Sequence, residues 1–316
     1  MKKNILNLRI KFLFLILVSN NLLQADLRED VSKQIQLKNY NKALEISKKA
    51  CNKNNGLGCG FVGLIYLNVF KDKKNTELFW RKACSLNEIS YCTDLGTFYS
   101  NNFLETKNAA SLAVKYYEIG CKKGHYDACG YLGNKFIEGV GIKQDLNNGL
   151  KLYQEACENN FAPSCQNMGY FLSRGIGIKK DSKKAIQYYE KGCSLGFVAS
   201  CTDLGSMYEQ EVKNINQNIQ KAKELYEFSC TNNDSNGCFN LGIMHNKYHK
   251  VGFKKEIGVA NYKRACDLGH GYGCFNLGVM YANGEGVHKD KNKAAMYFQY
   301  ACDKQVKEGC AAKKRL

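Results

Sequence analysis

The sequence predicts an all-α fold, a solenoid of two-helix units, on three observations. Sixteen cysteines form eight C-x7-C pairs whose first members follow one another at steps of 33, 37, 36, 36, 37, 36 and 36 residues. Around each pair the same residue types recur at helical offsets, and no segment sustains the period-two alternation of a strand. A Gly or Asn able to close a helix stands three positions after the first cysteine in every pair but the last, which has Gln305.

The chain begins with Lys2, Lys3, Arg9 and Lys11 ahead of the apolar run Phe12 to Val18, then a polar patch and Ala25. That order reads as a cleaved secretory leader, residues 1–25, and the run is too short for a hydrocarbon core that needs about twenty apolar residues. Leu23, at the minus-three position, is bulkier than the ideal. No cysteine sits at the cut, so no lipid anchor is expected, and no other stretch is apolar enough to span a membrane. Removing four basic residues and no acidic one takes the formal charge from +17 to +13. The remaining Lys and Arg are spread along the chain, which suits a solvated surface with general attraction for polyanions and not a nucleic-acid groove.

Residues 26–52 read as an N-terminal helical hairpin, and 53–316 as about seven repeats. In each unit a first helix ends at the first cysteine. Ala43, Ala113, Ala185, Ala222 and Ala294 lie eight positions before it, and Trp80, Tyr117, Tyr153, Tyr189, Tyr226, Tyr262 and Phe298 lie four before it. These are i and i+4 on one helical face. The residue just before the first cysteine is always Ala, Gly or Ser, which allows a neighbouring helix to approach. A second helix follows the second cysteine and carries L-G-x-x-Y or a variant, with Gly63, Gly96, Gly133, Gly169, Gly205, Gly242 and Gly278. Loops such as EGVGIKQD, RGIGIKKD and NGEGVHKD end on Asp145, Asp181 and Asp290, where the next helix needs an N-cap.

The cysteine spacing bears on pairing. A disulfide needs Cα atoms within about 7 Å, whereas eight residues of helix separate them by roughly 12 Å, so a C-x7-C bridge demands a reversal. The Gly or Asn stop supplies one. Pairing Cys51 with Cys59, Cys84 with Cys92, Cys121 with Cys129, Cys157 with Cys165, Cys193 with Cys201, Cys230 with Cys238, Cys266 with Cys274 and Cys302 with Cys310 uses all sixteen. The competing scheme joins each second cysteine to the first of the next unit and strands Cys51 and Cys310. The count favours the short loops, although sequence alone does not fix connectivity. Zinc ligation suits this spacing poorly, and no metal or cofactor is expected.

The motifs A-x-x-L-G-x-x-Y, G-x-G-V/I-x-x-D and K-A-x-x-Y-Y-x-K-A/G at a 36-residue period resemble the Sel-like repeat (SLR) family, relatives of tetratricopeptide repeats. With C-x7-C in every unit behind a leader, the chain is most similar to the secreted Helicobacter cysteine-rich protein (Hcp) family, over residues 27–316. Residues 60–84 are shortened, and EVKNINQNIQKAKELY and NKYHKVGFKKEIG lack the G-x-G loop. The resemblance implies a right-handed α/α solenoid with one disulfide per repeat. It also implies two functional stories: a secreted or periplasmic binding scaffold, and penicillin binding with slow β-lactam hydrolysis.

Neither S-x-x-K, S-D-N nor K-T-G, the signature of a serine β-lactamase, occurs. Of His125, His245, His249, His270 and His288, only His245 and His249 share a helix face, without the acid of H-E-x-x-H. His245 also takes the repeat's Tyr position and reads as a core residue. No catalytic residue is assigned, and enzymatic activity stays open.

For binding, the second helix can be laid out at about 100° per residue. Cysteine, Leu, Gly and Tyr fall on one side, and the position two after the second cysteine falls on the other. It holds Asp94, Asn167, Asp203, Asn240 and Asn276, with Phe61 and Tyr131 in the remaining units. In tetratricopeptide-like solenoids this helix lines the concave groove, and the row resembles an asparagine ladder that holds an extended peptide's backbone. The plainer alternative is solvated polar residues near a helix start. The expected function is recognition of an extended ligand, whether a protein, a peptide or a peptidoglycan fragment, by a monomer. β-Lactam binding and hydrolysis is the alternative, and no nucleic-acid partner is expected.

The chain-entropy model gives about 2.5 kcal/mol for each short bridge, against a net domain stability of about 5–15 kcal/mol. Excess reductant at 37 °C is therefore expected to abolish most of the far-UV helix signal of the oxidised protein; full helicity after reduction would show that the bridges are dispensable.

Overall fold

The computed structural model describes residues 22–210, 215–248 and 252–316, and every regular element among them is helical. The expected leader lies outside the described residues except for its last four, which begin the helix Leu22–Gln36. His249 lies outside them as well.

Two compact units divide the chain, residues 1–128 with 138–143 and residues 129–137 with 144–316. The first holds the helices Leu22–Gln36, Tyr40–Asn52, Gly56–Ile65, Lys73–Ser85, Ile89–Ser100 and Ala109–Lys122. The division falls within the helix Tyr126–Glu138. The second unit continues through Leu146–Glu158, Ala162–Arg174, Ser182–Ser194, Val198–Gln210 and Ile215–Thr231. Ser235–Lys247, Lys255–Asp267, Gly271–Asn283, Lys291–Asp303 and Lys307–Arg315 complete it. Each repeat is thus a leading helix that ends at the first cysteine and a trailing helix that carries the second. The chain is an α/α solenoid with one disulfide per repeat.

The reversal between the two helices is a Schellman turn. Its left-handed residue is Asn54, Asn87, Gly124, Asn160, Gly196, Asn233, Gly269 or Gln305, at φ between 58° and 89°. The left-handed residue donates to the first cysteine's carbonyl, as from Asn160 N–H to Cys157 at 2.9 Å. The next residue donates to the carbonyl one place earlier, as from Phe161 N–H to Ala156 at 2.9 Å. At the last turn Gln305 N–H donates to Cys302 and Val306 N–H to Ala301, so the turn forms even where the side chain disfavours it.

The turn brings the cysteine Cα atoms to 4.4–4.9 Å in seven i, i+8 bridges, from Cys51–Cys59 to Cys302–Cys310. Cys121 and Cys129 are disulfide-bonded too, and no cysteine is free. Helices this close crowd the two positions just before the cysteines, and six of the eight units place a glycine at one of them. A Cβ on Gly58 would lie 2.6 Å from that of Ala50, one on Gly120 2.7 Å from Ala128, and one on Gly273 2.8 Å from Ala265. Gly237 faces Ser229 and Gly309 faces Ala301 in the same way.

A second close approach explains the L-G motif together with the aromatic position. The ring of each leading helix lies on the glycine of the trailing helix before it. A Cβ would meet Tyr153 at 2.9 Å from Gly133, Tyr189 at 2.7 Å from Gly169, Tyr262 at 2.6 Å from Gly242 and Phe298 at 2.7 Å from Gly278. The rings are buried in consequence, with apolar neighbours such as Leu150, Met168, Leu172 and Leu204.

Asp145, Asp181 and Asp290 cap their helices as expected, accepting from the backbone N–H three residues on at 2.9–3.0 Å. Asp72 does the same at 3.0 Å from Asn75, and its twelve-residue offset from Cys84 is the shared sequence signal. The 33-residue step also has a structural cause. Where other units carry a G-x-G loop, the helix Gly56–Ile65 passes through a π-helical turn, Tyr66–Phe70, straight to left-handed Lys71 and the Asp72 cap.

Left-handed backbone costs an L-residue about 1–2 kcal/mol, partly offset in glycine by the greater entropy it loses on folding. Gln305→Gly should therefore raise stability by about 0.5–1 kcal/mol, read as a higher thermal midpoint; a lower midpoint would mean that the Gln305 side chain stabilises the turn.

Candidate binding surface

The trailing helices that carry the L-G motif bury the cysteine, the Leu position and the Gly, as in Cys165, Met168 and Gly169 or Cys201, Leu204 and Gly205. The position two after the cysteine is half-buried in all five cases, Asp94 in the first unit and Asn167, Asp203, Asn240 and Asn276 in the second. These residues are less open than the helical projection alone suggests, because side chains of their own and adjoining helices lean on them. Gln166 Nε2 donates to Asp203 Oδ2 at 2.7 Å, and Asn167 Nδ2 lies 3.5 Å from Asn134 Oδ1. Asn276 hydrogen-bonds the Tyr262 hydroxyl.

Tyrosine hydroxyls complete the polar side of this surface. A Tyr ring buried against a glycine must still satisfy its OH. Tyr153 donates to Asn134 Oδ1 at 2.5 Å, Tyr117 to Thr97 Oγ1 at 3.2 Å, and Tyr226 to Glu209 Oε2 at 3.3 Å. Burial pushes the hydroxyls of Tyr189 and Tyr262 up to about 12, so both stay neutral donors at any physiological pH. Glu209 also binds Lys247 Nζ at 3.0 Å and the Tyr248 hydroxyl at 3.4 Å.

A neighbouring row was not evident from the repeat motif. The residue one after the second cysteine meets the N-cap position of the next trailing helix. Thr93 lies 3.0 Å from His125 Nδ1, Thr202 donates to Asp234 Oδ2 at 2.5 Å, and Phe239 stacks on His270 at 4.2 Å. The partners change together, so alignment of the repeats within this chain carries the signal as paired variation.

His245 and His270 take structural places. His245 is buried, its Nδ1 accepts from Lys254 N–H at 3.3 Å, and its ring packs on Phe253. Burial first, then Lys223, lowers its pKa and keeps it neutral. His270 caps its helix by accepting from Gly273 N–H at 3.0 Å. Among the described residues no three His, Cys, Asp or Glu side chains are grouped to hold a metal ion.

Asp203 is the charged member of the second unit's row, and burial raises its pKa, with Asp234 adding to the effect and Gln166 opposing it. A folded-state pKa above the unfolded value means that the native state binds the proton more tightly. The carboxylate therefore opposes folding at neutral pH, and its cost fades as pH falls through the raised pKa. Asp203→Asn should raise the thermal midpoint at pH 7 and change it less at pH 4; an equal effect at both would assign the difference to the Gln166 contact.

The family described as Sel1 repeat matches the chain seven times, at residues 34–55, 91–125, 127–161, 162–197, 198–234, 235–270 and 271–306. Among solved structures, a Sel1 repeat protein from Oxalobacter formigenes is 24% identical with a TM-score of 0.68, over 76% of this chain and 98% of that one. The protective antigen c5321 of uropathogenic Escherichia coli, which displays an SLR fold, is 22% identical with a TM-score of 0.69 over 82% of this chain. The chain spans 56% of that antigen's length. Helicobacter pylori cysteine-rich protein B is 33% identical over 44% of this chain and 98% of its own, with a TM-score of 0.33. No curated protein matches in sequence. Sel1 repeat scaffolds generally mediate protein–protein interaction, and so many bonded cysteines suit an oxidising, extracytoplasmic compartment. The matches cover well over half of the chain, which belongs to the Sel1 repeat family as a cysteine-rich member.

Proposed function

We propose that the protein is exported by its leader, residues 1–25, and binds an extended segment of a protein partner along the trailing helices of the second unit. The observation that carries this reading is the recurrence of Asn167, Asp203, Asn240 and Asn276 at one register of successive trailing helices, each half-buried. A primary amide offers two donors and two acceptor lone pairs, so it can hold a peptide unit whatever side chains the partner carries. The Asp203 carboxylate accepts only and selects a backbone N–H or another donor at its level. Asp94 holds the same register in the first unit and would act there in the same way. Partial burial adds to the strength of such bonds, because water competes less for the groups involved.

The test is an array of random twelve-residue peptides probed with the oxidised protein, followed by titration of the best binder. Asn167→Ala with Asn240→Ala should leave the helix signal intact and weaken that peptide by about 1–3 kcal/mol, the cost of buried groups left unpaired. Unchanged affinity in the folded double variant would remove this surface. Turnover of a chromogenic cephalosporin by the same preparation would instead support the hydrolysis that the Hcp resemblance implies.

A further inference from the structure

Lys74, Glu77, Leu78, Arg81, Lys82 and Ser85 form one stripe of the helix Lys73–Ser85. Together with Leu104 and Thr106 they line an open groove of about 710 Å³ within the first unit. Leu104 and Thr106 come from NNFLETKN, the connector that stands where other units have the G-x-G loop. Asn102 shapes this connector. It takes a left-handed conformation, φ 47°, and its Oδ1 accepts from Thr106 N–H at 3.0 Å. Glu105 is left-handed as well, at φ 53°. The Phe103 ring anchors the connector on Phe98, with ring centroids 5.2 Å apart.

The groove is bipartite. Its apolar part is Leu78, 60% exposed, together with Leu104. Its polar part has three cations and one carboxylate, and that carboxylate is already engaged. Glu77 Oε1 accepts from the Tyr99 hydroxyl and lies 3.4 Å from Arg81. Tyr99 stacks on Tyr116, which fixes the wall behind Arg81. Lys82 Nζ donates to the Cys51 carbonyl at 3.2 Å, which holds it at the rim with protons to spare. Thr106 Oγ1 is buried without a hydrogen-bond partner. The local charge is thus positive, a hydroxyl is unsatisfied, and a leucine lies bare beside them.

We propose that this groove is a second binding site, for a short acidic peptide segment that seats an apolar side chain between Leu78 and Leu104. The peptide's carboxylates meet Arg81, Lys74 and Lys82, the three cations of the lining. Charge complementarity alone would fit any polyanion, but the leucine floor requires an apolar side chain next to the acids. The volume lies within the roughly 300–1,000 Å³ of small-ligand sites, enough for a few residues and too small for a folded domain. Cations of this kind on an exposed face steer association and set specificity more than they add affinity.

The probe is a fluorescein-labelled hexapeptide of alternating acidic and leucine residues, titrated against the oxidised full chain by anisotropy. Lys74→Gln with Arg81→Gln should weaken binding about tenfold, and Leu78→Glu by a similar factor, because each removes one half of a charge-and-apolar recognition pair. Lys183→Gln with Lys184→Gln, an equal charge change at exposed positions of the other unit, should alter binding less than about twofold. Replacing the leucines of the peptide by serine should weaken it several-fold. Equal loss in the two cation variants, equal binding of the serine peptide, or no binding at millimolar protein would overturn the proposal. Should the Lys74 and Arg81 variant lose its helix signal, Leu78→Glu, placed at an exposed position, decides the matter by itself.

Discussion

The covalent closure of each helix reversal is the constraint on which the rest of the repeat depends. A bridge between residues eight apart sets two helices at a Cα separation of 4.4–4.9 Å and so fixes what may stand beside it. One residue of the pair just before the cysteines is a glycine in six of the eight units, as in Gly58 with Ala50 or Gly120 with Ala128. The exceptions are Ala83 with Tyr91, whose ring lies on Gly60, and Ala156 with Ser164, whose hydroxyl lies against Gly130. The buried Ser164 hydroxyl, together with those of Ser200 and Ser229, is left without a partner, a polar group confined where the helices are tightest.

The second constraint is the ring-on-glycine contact, which joins one repeat to the next. It explains why the aromatic position and the L-G motif keep step although they lie in different helices. It also determines where the tyrosine hydroxyl emerges, beside the half-buried row that the proposed function uses. Core packing and candidate binding surface are therefore two ends of the same side chain, at Tyr153 and Asn134 or at Tyr262 and Asn276.

What was legible in the sequence is what repeats. The bridges, the left-handed stops, the Asp145, Asp181 and Asp290 caps and the register of the Asn and Asp row all recur at a fixed offset, and a period exposes them without knowledge of any contact. The pairs Thr93 with His125 and Thr202 with Asp234 share an offset but not a residue type, so they stay hidden until the helices are laid side by side. The groove at Leu78 and Leu104 was the least legible. It arises where NNFLETKN departs from the repeat, and a feature that occurs once has no periodicity to announce it. Asp72 falls between these cases: its offset was regular, but the shortened segment before it masked the pattern.

The bridges are local, each closing within eight residues, and this governs how the chain acquires them. As a growing or threaded chain emerges N-terminus first, each pair is complete before the first cysteine of the next unit appears. The wrong partner lies a whole helical hairpin away. Loop closure favours the nearer thiol, so oxidation in order of emergence yields the native set without reshuffling. Full denaturation with reduction removes that order, since sixteen thiols then compete at once. Refolding from that state requires mispaired bridges to exchange, a slow step beside the closure of an eight-residue loop.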